Sequence, residues 1–256
     1  MSFQLNYCAI AIQRLPNMKI LTCTAFLFFF VNSIAYSHQR LVLAKIESLS
    51  DQYIGQFILT EAYKHLGINL TFKTMPALRA LESSRSGEVD GEIQRIPVIE
   101  KSAPNLIRVP TSINHVDLSV FFTKQIPFRS LMDFRKYSFV YVRGVMIYET
   151  LLEHFNSSYP VSTDDEMWTL INLRRMDFAL AGRVSSLHKL KHLGIEGIYA
   201  LAPPYKTFPL YHYLHEKHRD LVPKINMVLQ TMARNGELAR LREQAVRHLL
   251  SGVHHK

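Results

Sequence analysis

Apolar and polar positions follow two periods along this chain. Leu41-Val42-Leu43-Ala44-Lys45-Ile46 is a short apolar run, as a buried strand requires. From about Asp51, Ile54, Phe57, Ile58, Ala62 and Leu66 recur at helical spacing. Ser48 or Ser50 stands where an N-cap belongs, and Gly67 where the helix should stop. Asn69 to Thr74 predicts a second strand. Pro76 opens a second helix at its favoured first position, and Gly87 closes it. Gly91 to Ile96 predicts a third strand, ended by Pro97. This alternation predicts a parallel sheet with right-handed crossovers.

The pattern then pauses. Asn114 to Thr123 is a long extended run with no helix before it of the kind a further repeat requires. Alternation resumes with a strand at Ser138 to Val142, a helix at Val145 to Phe155 and a short strand at Pro160 to Ser162. Thr163-Asp164-Asp165-Glu166 has the form of a capping box and starts a helix carrying Met167, Leu170 and Ile171. Phe178 to Ala181 and Ile198 to Ala202 predict strands on either side of a helix from Ser185 to Leu193. A second extended run, Pro209 to Leu214, leads into two final helices separated at Asn235-Gly236. The expected class is α/β, with two small α/β lobes joined by two extended crossover strands. Residues 38–118 and 209–256 form the first lobe and 119–208 the second, with a cleft between them and hinge closure as the natural motion.

The first 37 residues stand apart. Lys19 precedes the apolar run Ile20 to Val31, and Ala35 and Ser37 occupy the small-residue positions of a cleavage site. The expectation is a secretory signal peptide over residues 1–37, with Met18 as the more natural start. The apolar run is short for a transmembrane helix. Cleavage would remove Cys8 and Cys23, the only two cysteines. An exported chain with neither disulfides nor thiol chemistry fits a bacterial periplasm.

Residues 38–256 lose only Arg14 and Lys19 from the 30 Lys+Arg and keep all 21 Asp+Glu, which leaves about +7. The basic residues are scattered, which argues against nucleic acid. They are compatible with a surface or cleft that attracts anions.

Several short stretches resemble the bacterial extracellular solute-binding proteins of family 3, whose fold is the type II periplasmic binding protein fold. Glu61-Ala62-Tyr63-Lys64-His65-Leu66-Gly67 precedes a strand, and Ala80-Leu81 leads to Ser86-Gly87-Glu88-Val89-Asp90-Gly91. Ser130-Leu131-Met132-Asp133-Phe134 comes before a second-lobe strand. Arg175-Met176-Asp177-Phe178-Ala179 is similar to the same turn in the second lobe, without its glycine. Leu221-Val222-Pro223-Lys224-Ile225-Asn226 runs on to Asn235-Gly236-Glu237-Leu238. The resemblance implies a binding protein, not an enzyme, that closes on a small solute. It also implies two clamps for an α-amino acid, an arginine and an aspartate. Those positions fall here on Ser102 and Gly182.

Other basic residues suggest a different recognition chemistry. Ligands of open α/β sheets bind beyond the carboxyl ends of the strands. Arg79 lies in the first turn of the second helix, Arg95 at the exit of the third strand, Arg143 at the exit of the fourth, and Arg183 after Gly182. Gly144 opens a helix whose first backbone N–H groups are expected to meet an anion. Glu92 and Gln94 line the same strand end as Arg95, while Tyr53, Tyr148 and Tyr205 are candidates for stacking on a ligand. Tyr53, Arg79, Glu92, Gln94, Arg95, Arg143, Gly144, Tyr148 and Arg183 are therefore the expected ligand-binding residues.

His212, His215 and His218 are spaced for a helix face, but the context is a strand entering a turn, where side chains alternate, so no metal site is expected. Ser185-Ser186 near His188 and Asp177 makes no recognisable catalytic constellation. There is no G-x-S-x-G and no H-E-x-x-H. The expectation is a monomeric periplasmic protein without cofactor, holding a small anionic or carboxylate-bearing solute for the permease of an ABC importer. The alternatives are a stand-alone sensor or scavenger serving a membrane receptor, and a hydro-lyase-like enzyme on the same fold.

Overall fold

The computed structural model describes residues 39–47, 49–123 and 136–251. The expected signal peptide, Ser48 and the Ser130–Phe134 motif lie outside the described residues.

The first strand, β1 (Arg40–Ile46), pairs in parallel with β2 (Asn69–Met75) and β3 (Gly91–Arg95). Helix α1 (Gln52–Lys64) makes the first crossover and α2 (Ala77–Arg85) the second. Of the expected stripe, Ile54, Ile58 and Ala62 are buried, with Leu59 and Tyr63 beside them, while Phe57 and Leu66 pack partly buried against the same core. Ser50 does not cap this helix. Asp51 occupies the N-cap without a side-chain capping bond, and the Ser50 hydroxyl bonds to His188 instead.

A 3₁₀ turn and the short β4 (Leu106–Arg108) follow, and then the long β5 (Asn114–Thr123). The next strands are β6 (Ser138–Val142), β7 (Ser157–Val161), β8 (Phe178–Gly182) and β9 (Ile198–Ala200). The last is β10 (Lys206–His215). The sheet order is β2-β1-β3-β10-β5-β8-β6-β7, with β4 added to β10 and β9 added to β5. The first half of β10 runs antiparallel to β5, from Lys206 opposite Leu118 to Leu210 opposite Asn114. Its second half leaves β5 and pairs with β3 and β4. In the same way, β5 continues from β10 onto β8. These two strands are the crossovers, and the fold is two α/β lobes joined through them.

Each lobe has its own core. On one side Leu41, Leu43, Ile58, Tyr63 and Ile93 pack with Ile225 and Leu229 of α6 (Val222–Arg234) and Leu241 and Leu249 of α7 (Glu237–Ser251). Each such side chain contributes roughly 1.5–3 kcal/mol when fully buried. That is why two C-terminal helices, remote in sequence, return to the first lobe. On the other side Trp168 packs edge-on to Phe121, with ring centroids 5.2 Å apart, and Phe139 stacks on Phe178.

Three local features differ from the sequence pattern for physical reasons. The expected helix from Val145 to Phe155 is a single turn, α3 (Met146–Glu149), followed by a 3₁₀ turn at Leu152–His154. The Glu149 carboxylate folds back onto the Gly144 N–H, and Phe155 turns extended to place its ring 4.4 Å from that of Phe139. Burial of an aromatic ring outweighs two further turns of helix. Strand β7 is longer than expected and holds Pro160, which an edge strand tolerates because its missing donor faces outward. Helix α4 (Asp164–Asn172) starts with Thr163 Oγ1 accepting from Glu166 N, while the Glu166 carboxylate reaches one residue further back, to Ser162 N.

Candidate functional site

The carboxyl ends of β1 and β3 meet the start of α1 at the boundary between the lobes. Gly91 is what brings β3 so close to β10: a Cβ there would stand 2.1 Å from the Tyr213 carbonyl oxygen. Three and four residues further on, the strand end presents Gln94 and Arg95, both buried. Gln94 is held on two sides. Its Nε2 donates to the Asp51 carbonyl (3.1 Å), and its Oε1 accepts from Asn114 Nδ2 of β5 (3.1 Å). Asn114 in turn accepts from Arg242 Nε of α7 (3.0 Å). One side chain thus ties the β1–α1 turn to a crossover strand.

Arg95 Nη2 donates to Glu92 Oε1 and to the Ala77 carbonyl, each at 2.9 Å. Glu92 is fully buried, and burial pushes its carboxyl above the usual range against the pull of Arg95. The Arg95 Nε–H is sealed from solvent without an acceptor.

A cavity of about 60 Å³ lies here. Asp51, Gln52, Gln94 and Arg95 supply its polar wall, Ile46, Ile99 and Leu210 part of its apolar wall, and Met146 and Ile147 close it from the second lobe. Typical ligand pockets run to roughly 300–1,000 Å³, so the cavity as it stands has room for water and not for a metabolite.

The lobes are joined beside this cavity by direct hydrogen bonds. Helix α5 (Arg183–Leu193) of the second lobe receives the β1–α1 turn: Asp51 N donates to Ser185 Oγ (2.8 Å), and Ser50 Oγ pairs with His188 Nδ1 (2.9 Å). Gly182, just before α5, makes room. A Cβ there would lie 3.1 Å from Val116 Cγ2 and 3.9 Å from Asp51 Oδ2, so the space where the resemblance places an aspartate is reached by Asp51 from the other lobe. Burial pushes the Asp51 carboxyl up, while the Ser185 hydroxyl and the neighbouring backbone N–H groups pull it down.

The structure brings together only part of the expected set. Gln94 and Arg95 line the cavity, and Glu92 stands behind Arg95 as its counter-ion. Tyr148 is buried in the second-lobe core, its phenol pushed well up by burial and by the nearby Asp51 charge. Tyr53 packs beside Phe57 against the first core, and Tyr205 beside Phe155 in the second. The four arginines do not converge. Arg79 is exposed on α2, Arg143 is exposed and donates to Ser162 Oγ, and Arg183 Nη1 donates to the Leu201 carbonyl. The Gly144 N–H, expected to face an anion, is already taken by Glu149.

Asp51 and Gln52 are residues that sequence reasoning passed over, while Ser185 and His188, set aside there as making no catalytic constellation, meet the first lobe at this boundary. The rule about carboxyl ends of strands, applied to β1 as it was to β3, points straight at Ser50-Asp51-Gln52. The Ser185/His188 pair carries no such signal, because its partner lies in the other lobe.

No family model matches the chain. Among curated proteins, an uncharacterised protein of Shewanella oneidensis is 26% identical over 200 residues, 75% of each chain. Among solved structures, the GluR0 ligand-binding core in complex with L-glutamate superposes with a TM-score of 0.71 at 13% identity, covering 82% of this chain and 99% of that one. A histidine kinase sensor domain with similarity to periplasmic binding proteins gives 0.69 at 15% identity, covering 81% and 96%. The amino acid ABC transporter substrate-binding protein AbpA from Streptococcus pneumoniae, bound to L-arginine, gives 0.65 at 14%, covering 84% and 97%. The fold is therefore the two-lobed type II periplasmic binding protein fold.

Proposed function

We propose that this chain is an exported solute-binding protein that closes its two lobes on a small carboxylate-bearing solute and delivers it to an ABC-type permease. One observation carries the reading: a cavity at the carboxyl ends of β1 and β3, with Arg95 Nε–H unpartnered on its wall, lies beside the hydrogen bonds that join the lobes. The anion preference first drawn from four arginines contracts to Arg95, whose charge is already matched by Glu92. Arg95 then acts as an oriented donor to one end of the solute, and Gln94 fixes the β1–α1 turn around it. Closure turns on the β5/β10 ladder, with residues 39–118 and 209–251 moving against 136–208. Export rests on the Lys19 and Ile20–Val31 pattern, and the solute leaves chemically unchanged.

A sensing role is the second reading, supported by the likeness to a histidine kinase sensor domain across 96% of that domain. X-ray scattering of the chain from His38 onward, with and without members of a panel of amino acids, organic acids and sugars, tests the binding reading. A solute that raises the melting temperature should also shrink the radius of gyration. If no member of the panel changes either quantity, the reading fails.

A further inference from the structure

The short strand β4 has one open edge. It pairs with β10, Leu106 opposite His215 and Arg108 opposite Tyr213. Glu216 N donates to the Asn105 carbonyl and Val109 N to the His212 carbonyl, each at 2.9 Å. In an antiparallel ladder the backbone groups of successive residues face opposite sides. Asn105, Ile107 and Val109 therefore face β10, and Leu106 and Arg108 face away from it. The Leu106 N–H turns back to the Ala103 carbonyl at 3.0 Å. The Leu106 carbonyl and the Arg108 N–H and carbonyl are left pointing outward, and among the described residues no strand pairs with that edge.

An open edge is usually covered by a loop or broken by a proline, as Pro160 does on β7. The edge of β4 instead lies along a groove of about 590 Å³, in the size range of ligand pockets. Arg219, from the 3₁₀ turn Glu216–Leu221, lines it together with Arg108, and Glu100 is the one acid among its described lining residues. Arg108 Nε stands 3.3 Å from Glu100 Oε1, and its guanidinium lies 4.9 Å from the centre of the Tyr211 ring. These contacts hold Arg108 on the wall with its side chain still 39% exposed. Arg219 is 71% exposed and stands 3.8 Å from Glu216. Exposed ion pairs of this kind are weak, so a carboxylate brought alongside competes for both arginines.

We propose that the free edge of β4 is an interaction site for an extended acidic segment of a partner protein, which adds to the sheet as a further strand and meets Arg108 and Arg219 with its carboxylates. Strand addition matches the outward acceptor, donor and acceptor of Leu106 and Arg108, whereas a compact anion offers no donor to the two carbonyls. Main-chain bonds carry no sequence preference, so the arginines supply it. A second copy of this chain, paired edge to edge, would gather the same arginines from both chains, and like charges across a strand pair destabilise it. The site lies on the first lobe and uses no residue of the lobe boundary, so it stands apart from the solute-binding reading.

The chain from His38 onward is immobilised and offered two pools of hexapeptides, randomised except for alternate positions fixed as glutamate in one pool and lysine in the other. Retained peptides are identified by mass spectrometry. The best acidic one is resynthesised with and without N-methyl groups on alternate amides. Its affinity is then measured by fluorescence anisotropy for the wild type, Arg219→Glu and Arg108→Pro. Proline is tolerated where an edge N–H faces outward, so Arg108→Pro blocks the edge and keeps the β10 ladder. The acidic pool should be retained and the basic pool not. N-methylation should weaken binding about tenfold or more, Arg219→Glu about fivefold or more, and Arg108→Pro should abolish it. The proposal is wrong if neither pool is retained, if the basic pool is retained equally, or if the N-methylated peptide binds unchanged. It is equally wrong if Arg219→Glu binds unchanged, or if sedimentation shows a wild-type dimer that Arg108→Pro abolishes, since the occupant is then a second copy. Should melting curves show that Arg108→Pro does not fold, the N-methylated peptide and Arg219→Glu decide alone.

Discussion

Arg95 Nη2 stands 2.9 Å from Glu92 Oε1, with both side chains almost entirely shut off from water. From sequence, Arg95 is a site residue whose removal should affect binding alone. The structure makes it a foundation of the strand end as well. Breaking a buried pair on one side leaves an uncompensated charge and typically costs 3–5 kcal/mol. Arg95→Ala is therefore expected to lose about that much in urea denaturation. Pairing it with Glu92→Gln should restore part of the stability, because the stranded charge is gone. Equal stability of the single and double variants would show that the pair is not coupled.

Ser185 joins the second lobe to the β1–α1 turn of the first. Its hydroxyl accepts from Asp51 N across the boundary. One hydrogen bond is worth about 0.5–1.5 kcal/mol, or roughly 2- to 10-fold in affinity. Ser185→Ala should weaken solute binding by that factor with the denaturation midpoint nearly unchanged. A midpoint that falls while affinity holds would assign Ser185 to the fold.

His212 sets a pH dependence. It is fully buried, with Nδ1–H donating to the Glu92 carbonyl at 2.7 Å and Nε2 accepting from the Tyr63 hydroxyl at 2.8 Å. Burial holds its pKa down at about 4, against the pull of the backbone hydrogen bonds. The unfolded chain takes up this proton near the ordinary value of about 6.5, and the folded chain does not. Stability from this group is therefore complete above about pH 6.5, declines as pH falls toward about 4, and levels off below, a loss on the order of 3 kcal/mol. Urea midpoints across that range should show the decline, and a His212→Gln chain should lack this share of it.

Trp168 is the largest fully buried side chain, edge-on to Phe121 in the second lobe. Trp168→Ala removes that contact and leaves a void, for a cost of about 3–5 kcal/mol. Calorimetry should show the second-lobe core failing at lower temperature. An unshifted melt would mean that the void collapses.

The order of strands and helices apart from β4, most of the inward stripe of α1 and the two long extended runs were legible in the chain. Each is set by local spacing of apolar residues, which tertiary packing only reinforces. Two things were not legible. The stretch from Val145 to Phe155 has helical spacing, but the Phe139 ring and the Gly144 N–H, neither of them local, draw it apart. Of the candidate site, the cavity wall at Gln94 and Arg95 was legible as a strand end, while Arg143 and Arg183 have partners that no spacing reveals.

By itself, then, the sequence determined the fold class and the order of its main elements, because period and turn chemistry act over a few residues. Only the tertiary structure decided which charges are spent and which remain free. Arg95 is matched by Glu92, whereas Asp51 has an unpartnered oxygen, and that difference arises from burial and from neighbours brought in by distant segments. Electrostatic partnership inside a protein is a property of the assembled wall, so it is read from coordinates and not from the order of residues.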